Sequence, residues 1–234
     1  MIGIGTFVNS GAIIAGAVIG KFCGARIPER FKKIIFSAVG VAVMFIGIMG
    51  VINNAGDSMM LVLSLVLGGL LGEALRLEDR MEQLGEFLKK KVTRKPAVSA
   101  VSDTFAEGFM NASIIFVVGA MAIIGSMNDG LLHDPSMLFT KAILDGVTSI
   151  VLASSLGIGV AFSALSVFFY QGLLTLLAGV LAPYLTDALI RNMSFVGNAI
   201  IFCIGVNFIW PKKIKTGNLF PAMFFPVLLG LFIK

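Results

Sequence analysis

The stretch that decides the fold is Ala142–Thr186, AILDGVTSIVLASSLGIGVAFSALSVFFYQGLLTLLAGVLAPYLT, which holds one charged residue, Asp145, in 45 positions. About 20 apolar residues cross a hydrocarbon core of about 30 Å, so this stretch is too long for one transmembrane helix and long enough for two. Gly157 and Gly159 weaken helix within the uncharged segment Leu156–Ser166. The sequence therefore predicts two spans joined by a short turn, 139–156 and 163–183.

Charge-free runs elsewhere in the chain mark further spans by the same length criterion. The chain is 57% hydrophobic and 13% charged, with a mean hydropathy of +0.98, whereas soluble domains carry about 25% charged residues. Lipid must therefore be the solvent for most of its surface. We expect a single all-α integral membrane domain over residues 1–234 with about eight transmembrane helices. The other predicted spans are 1–20, 34–56, 58–75, 108–128, 192–211 and 216–233.

The distribution of basic residues predicts the orientation, because Lys and Arg are retained on the cytoplasmic side of membranes. With the N-terminus outside, all but three of the 18 basic residues fall in cytoplasmic segments, and the exceptions are Lys141, Arg191 and Lys234. Fusing residues 142–186 into one helix would move the Lys212–Lys215 cluster outside. We therefore expect eight spans in the inner membrane, with both termini on the non-cytoplasmic side.

The polar stretch 76–103 carries an apolar stripe at helical spacing, formed by Leu77, Met81, Leu84 and Leu88. Charged residues fill the opposite face. This pattern is typical of an amphipathic helix in the cytoplasmic interface, where its basic residues reach anionic head groups. Those residues are Lys89, Lys90 and Lys91. The alternative is a solvated extension of the third helix.

Short segments recur at a nearly constant offset and suggest an internal repeat. Phe7-Val-Asn-Ser10 resembles Phe109-Met-Asn-Ala112, and Phe31–Ile35 resembles Phe139–Ile143. Helix 1 would run inward and helix 4 outward, so the sequence suggests a 3+3 inverted repeat followed by two C-terminal helices. Many secondary transporters use such repeats. A rival pairing matches Ser37-Ala-Val-Gly40 with Ser194-Phe-Val-Gly197.

Two small-xxx-small patterns, Gly16-Ala-Val-Ile-Gly20 and Gly68-Gly-Leu-Leu-Gly72, predict close helix packing. They allow a homodimer or another homo-oligomer. In a chain with 27 glycines, the same patterns fit packing within one chain equally.

Asp145 is the leading candidate for a functional residue, because polar groups inside lipid are costly and often functional. Lys141 lies four residues before it and Ser149 four residues after it, so all three share one helix face. One hypothesis is that Asp145 and Ser149 contact an ion or substrate. The alternative is an Asp145–Lys141 pair that closes the outer end of the helix.

Four further polar residues complete the candidate binding site. Asn9 and Asn111 occupy matching places in the suggested repeat, and Glu107 lies one turn before Asn111. Their oxygens could bind a cation or form hydrogen bonds between helices. Gln171 is a buried amide of the same kind, for which helix packing is the competing interpretation.

No pattern of a soluble enzyme is present: the sequence has no P-loop, no Gly-x-Ser-x-Gly and no His-Glu-x-x-His. We expect neither an enzyme nor a cofactor. Cys23, Cys203 and His133 lack metal-ligand spacing, and the identity of any bound metal stays open. The net charge of +5 belongs to cytoplasmic loops, so nucleic acid is not an expected partner, whereas membrane lipid is.

Motifs distributed along the whole chain form one further pattern. They are Gly5-Thr-Phe-Val-Asn9, Ile27-Pro-Glu-Arg-Phe31, Leu67-Gly-Gly-Leu-Leu-Gly-Glu73, Glu107-Gly-Phe109, Val118-Gly-Ala-Met-Ala-Ile123, Leu144-Asp-Gly146, Ala153-Ser-Ser-Leu-Gly-Ile-Gly-Val160, Tyr170-Gln-Gly-Leu-Leu-Thr-Leu-Leu-Ala-Gly179 and Lys215-Thr-Gly-Asn-Leu-Phe-Pro221. This pattern resembles a family of prokaryotic inner-membrane proteins catalogued as domain of unknown function 554. The resemblance covers essentially the whole chain and implies a multi-pass membrane protein, but the family name carries no functional residues. A secondary transporter or exchanger of a small solute or cation is the leading hypothesis, and a channel-like pore or a non-transporting scaffold is the alternative.

Overall fold

A computed structural model describes residues 3–25, 29–92, 101–210 and 213–232 of the chain. All regular secondary structure in these ranges is helical. A 3-10 turn, Phe220–Phe224, lies between the last two helices. The helices are α1 (Ile4–Ala25), α2 (Glu29–Asn53), α3 (Ser58–Leu75), α4 (Leu77–Val92), α5 (Val101–Val117), α6 (Ala120–Leu131), α7 (Ser136–Leu156), α8 (Gly159–Leu176), α9 (Ala178–Leu181), α10 (Asp187–Ile209), α11 (Thr216–Leu219) and α12 (Phe225–Phe232).

Membrane-spanning capacity follows from helix length and apolarity. In the described ranges, five helices are long and apolar enough to cross a bilayer, namely α1, α3, α7, α8 and α10, and the α5–α6 pair provides a sixth if it forms one span. Two further apolar stretches, Ser37–Asn53 and Thr216–Leu229, are shorter. The prediction of a multi-pass α-helical membrane protein is confirmed. The count of eight spans stays a prediction.

The turn predicted within Leu156–Ser166 lies at its beginning. Helix α7 ends at Leu156 and α8 begins at Gly159. Gly157 has a φ of 75°, a left-handed conformation that favours glycine. The long uncharged stretch therefore forms two helices that turn back on one another.

Helices α1 and α7 pack together over most of their length and run parallel. A Cβ atom at Gly16 would lie 2.2 Å from the carbonyl oxygen of Gly146, and one at Gly24 would lie 2.3 Å from that of Ser154. Contacts advance in the same order along both helices, and no side chain fits between the two backbones at these points. The glycines are therefore required by the close approach of the helices.

The remaining neighbours have the relative directions that alternating spans require. Helix α2 is antiparallel to α10, because Gly40 contacts Phe208 whereas Gly50 contacts Asn198. Helix α1 is antiparallel to α8, since Asn9 meets Gln171 while the later residue Ile14 lines a cavity with Ala161. These directions agree with the eight-span arrangement, although its orientation in the membrane stays a prediction.

The structure divides the predicted span 108–128 between two helices, α5 and α6. Helices α5 and α6 meet at an angle of 63°. Gly119, at the break, has a φ of 122°, which an L side chain rarely adopts, and the preceding Val118 packs against Gly197 of α10.

The two halves of this broken helix advance along α8 in one direction. Phe105 of α5 contacts Gly159, the Ser113 hydroxyl lies 2.9 Å from that of Ser166, and Gly130 of α6 contacts Thr175. Since the contacts move steadily from one end of α8 to the other, the pair has the geometry of a single broken span rather than a re-entrant loop.

Both small-xxx-small patterns are used within the chain. Gly16 and Gly20 pack against α7. Gly68 lies against the backbone of Ala222 and Gly72 against that of Asn218, so α3 is antiparallel to the C-terminal segment. These patterns consequently give no support to a homo-oligomer, which stays a prediction.

The predicted amphipathic helix exists as α4, separate from α3. Arg76 ends α3 in the left-handed conformation, with φ 49° and ψ 49°. Helix α4 is therefore not a straight extension of α3. Gly85 packs against Ala106 of α5, whereas Leu84 and Phe87 are exposed. The side chains of Lys89, Lys90 and Lys91 lie outside the described residues, and their contact with anionic head groups stays a prediction.

The packing does not support the 3+3 inverted repeat. Inversion would pair α1 with the α5–α6 helix and α2 with α7, so the extensive α1–α7 contact should recur between α2 and the α5–α6 helix. Among the described residues, α2 packs on α10 instead and has no comparable contact with α5 or α6.

Candidate functional site

The candidate site begins with a stripe of three polar residues on α7. Lys141, Asp145 and Ser149 follow one another at a spacing of four, which places them on one helix face. All three are buried, with exposed fractions of 5%, 7% and 0%. The Lys141 ammonium lies 2.5 Å from Oδ2 of Asp145, so the carboxylate is paired within its own helix.

Two other helices supply amides to the same carboxylate. Nδ2 of Asn9 on α1 lies 3.0 Å from Oδ2 of Asp145 and 3.2 Å from Oε1 of Gln171 on α8. Both amide residues are fully buried. The Asp145 cluster, as we name it, consists of Asn9, Lys141, Asp145, Ser149 and Gln171. The cluster joins three helices, and its charged members are Lys141 and Asp145.

The Asp145 cluster has unused hydrogen-bonding capacity. Three buried polar atoms of this cluster have no hydrogen-bond partner in the part of the chain that the structure describes: Oδ1 of Asn9, Oγ of Ser149 and Nε2 of Gln171. A buried polar group without a partner costs about 1–3 kcal/mol. These atoms are therefore available to a bound ion, solute or water.

The cluster lies deep along the helix axis. Asp145 is near the middle of the 21-residue helix α7, about 13 Å from its N-terminal end at a rise of 1.5 Å per residue. An ionisable group buried among membrane helices this far from either end is costly, so it is expected to be paired with another group or to have a function.

Four of the six predicted site residues belong to the cluster, and two lie elsewhere. Asn111 is buried in α5, with an exposed fraction of 2%, and forms no hydrogen bond with Asn9 or Asp145 within the described residues. Glu107 is half-buried on the same helix. Its neighbour Phe105 contacts Gly159, twelve residues and so about 18 Å along α8 from Gln171.

Sequence reasoning missed two threonines next to the cluster. Thr6 precedes Asn9 by three residues and Thr175 follows Gln171 by four, so each is on the same helix face as a cluster amide. Their exposed fractions are 2% and 3%. The helical spacing from Asn9 and Gln171 was the available signal.

A second polar group, the Glu73 cluster, joins α3 and α4 to the start of the C-terminal segment. It consists of Glu73, Glu78, Lys215, Gly217 and Asn218. Oε1 of Glu73 lies 2.7 Å from the Lys215 ammonium, and its Oε2 accepts a 2.6 Å hydrogen bond from Asn218. Oδ1 of Asn218 accepts a hydrogen bond from the backbone N–H of Glu78. Oε2 of Glu78 in turn accepts a hydrogen bond from the backbone N–H of Gly217.

The two ionisable groups of this cluster outside the apolar helices have shifted pKa values. Burial raises the pKa of the Glu78 carboxyl, because the charged form is desolvated. The hydrogen bond to the Glu73 carboxylate raises the pKa of Lys215. Glu78 is therefore the group of this cluster whose ionisation opposes folding.

The comparisons with known proteins agree with the membrane architecture. The chain matches the family described as "Protein of unknown function (DUF554)" over residues 4–231. It belongs to that family. No solved structure matches the chain.

Two bacterial relatives cover nearly the whole chain. The "Uncharacterized membrane protein YdfK" of Bacillus subtilis (strain 168) is 34% identical over 225 residues, which are 95% of this chain and 93% of the relative. The "Uncharacterized protein YqgA" of Escherichia coli (strain K12) is 30% identical over 223 residues, which are 94% and 93% of the two chains. The first name supports a membrane location, and neither name states an activity.

Proposed function

We propose that this protein is a secondary transporter or exchanger of a small solute or cation, with the Asp145 cluster as its binding site. One observation carries the proposal. A carboxylate, an ammonium group and two amides converge from three helices in the interior, and three polar atoms beside them have no partner.

The free-energy cost of burying the polar groups of the Asp145 cluster favours a functional role for them. Removing a lysine and a carboxylate from water is expensive, and well-packed apolar residues often replace a buried pair with no loss of stability. A protein that needed only rigidity would have little use for the additional unpaired atoms of Asn9, Ser149 and Gln171.

The broken α5–α6 helix gives separate support. Discontinuous helices line the substrate sites of many transporters, because a helix end exposes backbone donors and acceptors inside the membrane. The break at Val118–Gly119 lies beside α8 between the levels of Ser166 and Thr175, and Gln171 lies between those two residues.

The chemistry of the cluster limits what it could bind. Carboxylate, amide and hydroxyl oxygens are ligands for hard cations, but a cation has to compete with the Lys141 ammonium for Asp145. A neutral or zwitterionic solute could use the unpaired amide and hydroxyl atoms while the ion pair stays intact. Both classes are consistent with the proposed function.

The second candidate is a non-transporting scaffold. The observation that favours it is the short Lys141–Asp145 contact, which already neutralises the carboxylate within one helix. In that case the cluster would only orient α1, α7 and α8.

Flux measurements with a charge-neutral double variant separate the two functions. The purified protein is reconstituted into liposomes, and uptake of monovalent cations and small neutral solutes is followed under imposed gradients. Asp145→Asn with Lys141→Gln removes both charges without leaving either unpaired, so the protein should fold and lose gradient-driven flux. Glu73→Gln with Lys215→Gln is the matched control and should retain flux. Unchanged flux in the Asp145/Lys141 double variant would show that the Asp145 cluster is not the binding site. No flux in the wild type under any gradient would favour the scaffold.

A further inference from the structure

Polar groups continue from the Asp145 cluster toward one end of the helices. Thr6 on α1 and Thr175 on α8 lie one turn beyond Asn9 and Gln171, and their side chains are almost fully buried. Among the described residues, neither hydroxyl has a hydrogen-bond partner. Together with Asn9, Ser10 and Gln171, the threonines place five unpaired polar atoms on two consecutive turns of α1 and α8.

A cavity of about 400 Å³ contains both of these threonines in its lining. Its other walls are mostly apolar and include Phe7 and Phe169. It lies at the ends of two helices, since Gly3 directly precedes α1 and Leu176 is the last residue of α8. In a membrane-spanning bundle such helix ends are where the protein meets head groups and water.

A buried carboxylate fixes the position of Gly3 at this cavity. Asp129 of α6 is fully buried, and its two oxygens accept hydrogen bonds from the backbone N–H groups of Gly3 at 3.2 Å and Gly5 at 3.0 Å. A negative charge at the N-terminal end of α1 stabilises that end of the helix. The beginning of α1 is thus tied to α6 beside the cavity.

We propose that this cavity is a hydrated vestibule, in which water binds the Thr6 and Thr175 hydroxyls and gives access to the Asp145 cluster. A lipid chain in the cavity would leave both hydroxyls unpaired at a cost in free energy. A buried water typically forms about three hydrogen bonds to otherwise unpaired polar groups and occupies about 30 Å³. Several waters fit this volume, and the unpaired atoms of Asn9 and Gln171 lie one helical turn beyond the threonines.

The role as an access route rests on the proposed transport function, but the hydration of the cavity does not. Hydration is a property of the purified protein at rest and can be measured without any flux. The two conclusions can therefore fail separately.

Cysteine reactivity in lipid nanodiscs tests the hydration directly. In a background with Cys23→Ala and Cys203→Ala, Thr175→Cys and Ile143→Cys are each treated with a charged methanethiosulfonate. Thiols react as thiolates, which form in water and not in lipid, so Thr175→Cys should react at least about tenfold faster. Ile143 is the control because it is 69% exposed on the apolar outer face of α7 and does not line this cavity. Equal rates, or faster reaction at Ile143, would overturn the proposal.

Valine variants provide a second test that does not depend on the cysteine variants folding. If water binds the hydroxyls, Thr6→Val and Thr175→Val should each lower the melting temperature, because the bridging water loses a partner. If the hydroxyls are dry and unpaired, the same substitutions should raise it. Ser64→Ala on α3, which removes a buried unpaired hydroxyl that does not line this cavity, should cause no such loss. A rise in melting temperature for both threonine variants would contradict a hydrated vestibule even if transport were demonstrated.

Discussion

The Asp145 and Glu73 clusters contain the same kinds of group in opposite surroundings. Each pairs a lysine with a carboxylate and adds an asparagine. The side chains of Lys141 and Asp145 are 6% and 10% exposed, whereas those of Lys215 and Glu73 are 61% and 57% exposed. In the exposed cluster both carboxylate oxygens of Glu73 have partners, whereas three polar atoms of the buried cluster, on Asn9, Ser149 and Gln171, have none.

This difference shows that the contribution of an ion pair to stability depends on its exposure to water. An exposed pair gains little, because water and salt screen the attraction between its charges. A buried pair is costly to form and more costly to break, because the remaining charge is left without water or a partner. We therefore assign the Glu73 cluster to joining chain segments and the Asp145 cluster to the proposed function.

The largest expected effect is the loss of one charge from the buried pair. Asp145→Asn leaves Lys141 buried and unpaired and should lower the free energy of unfolding by about 3–5 kcal/mol. Adding Lys141→Gln should recover most of that loss. Thermal melting of the purified variants measures both effects, and Glu73→Gln, which leaves Lys215 in water, should have a much smaller one. Similar losses for Asp145→Asn and Glu73→Gln would remove the distinction between the clusters.

An intermediate effect is expected from the amide that bridges α7 and α8. Asn9→Ala removes the hydrogen bonds to Asp145 and Gln171 and should cost about 1–3 kcal/mol in unfolding free energy, because both partners stay buried. It should also reduce flux in liposomes. Asn111→Ala is the matched control, since Asn111 is as buried as Asn9 but outside the cluster, and its flux should match the wild type. Equal flux for both variants would show that the amide of Asn9 has no special role.

The smallest effect concerns pH and the Glu73 cluster. The pKa of Glu78 is raised above its ordinary value of 4.5, so the folded protein binds this proton more tightly than the unfolded chain. The contribution of Glu78 to stability therefore falls as pH rises from its ordinary pKa through the raised folded value. Glu78→Gln keeps an acceptor for the Gly217 N–H, so it should melt at a higher temperature than the wild type at pH 7. The advantage should shrink as pH is lowered toward 4.5, and an advantage that is constant over this range would contradict the assignment.

The sequence was sufficient to predict the helices with a clear pattern. Runs without charge identified the apolar helices, and the glycines in the long uncharged stretch identified the turn between α7 and α8. The break between α5 and α6 could not be predicted, because Val118-Gly119 lies within an apolar run and no proline is present. Next to Gly119, Val118 packs against Gly197 of α10, a tertiary contact that the local sequence does not contain. By contrast, Pro221 lies in the 3-10 turn that interrupts the C-terminal segment.

The candidate site was predictable where one helix contains the whole signal. Lys141, Asp145 and Ser149 show their common face through their spacing alone. Gln171 was interpreted mainly as a packing residue, because its partner lies 162 positions earlier in the chain. Asn111 was included through a short sequence match between the halves, and Glu107 because it lies one turn before Asn111. Short matches between apolar segments carry no information about contacts.

The backbone contact between α1 and α7 has a mechanical consequence. A Cβ atom at Gly16, Gly20 or Gly24 would overlap a carbonyl oxygen of α7, so these two helices cannot slide or rotate against each other without collision. The two helices therefore form one rigid unit, and the Asn9–Asp145 hydrogen bond lies within it. The Asn9–Gln171 hydrogen bond instead crosses to α8, where the interface also contains cavities. Any opening of the cluster must therefore separate Asn9 from Gln171, while the hydrogen bond between Asn9 and Asp145 stays intact.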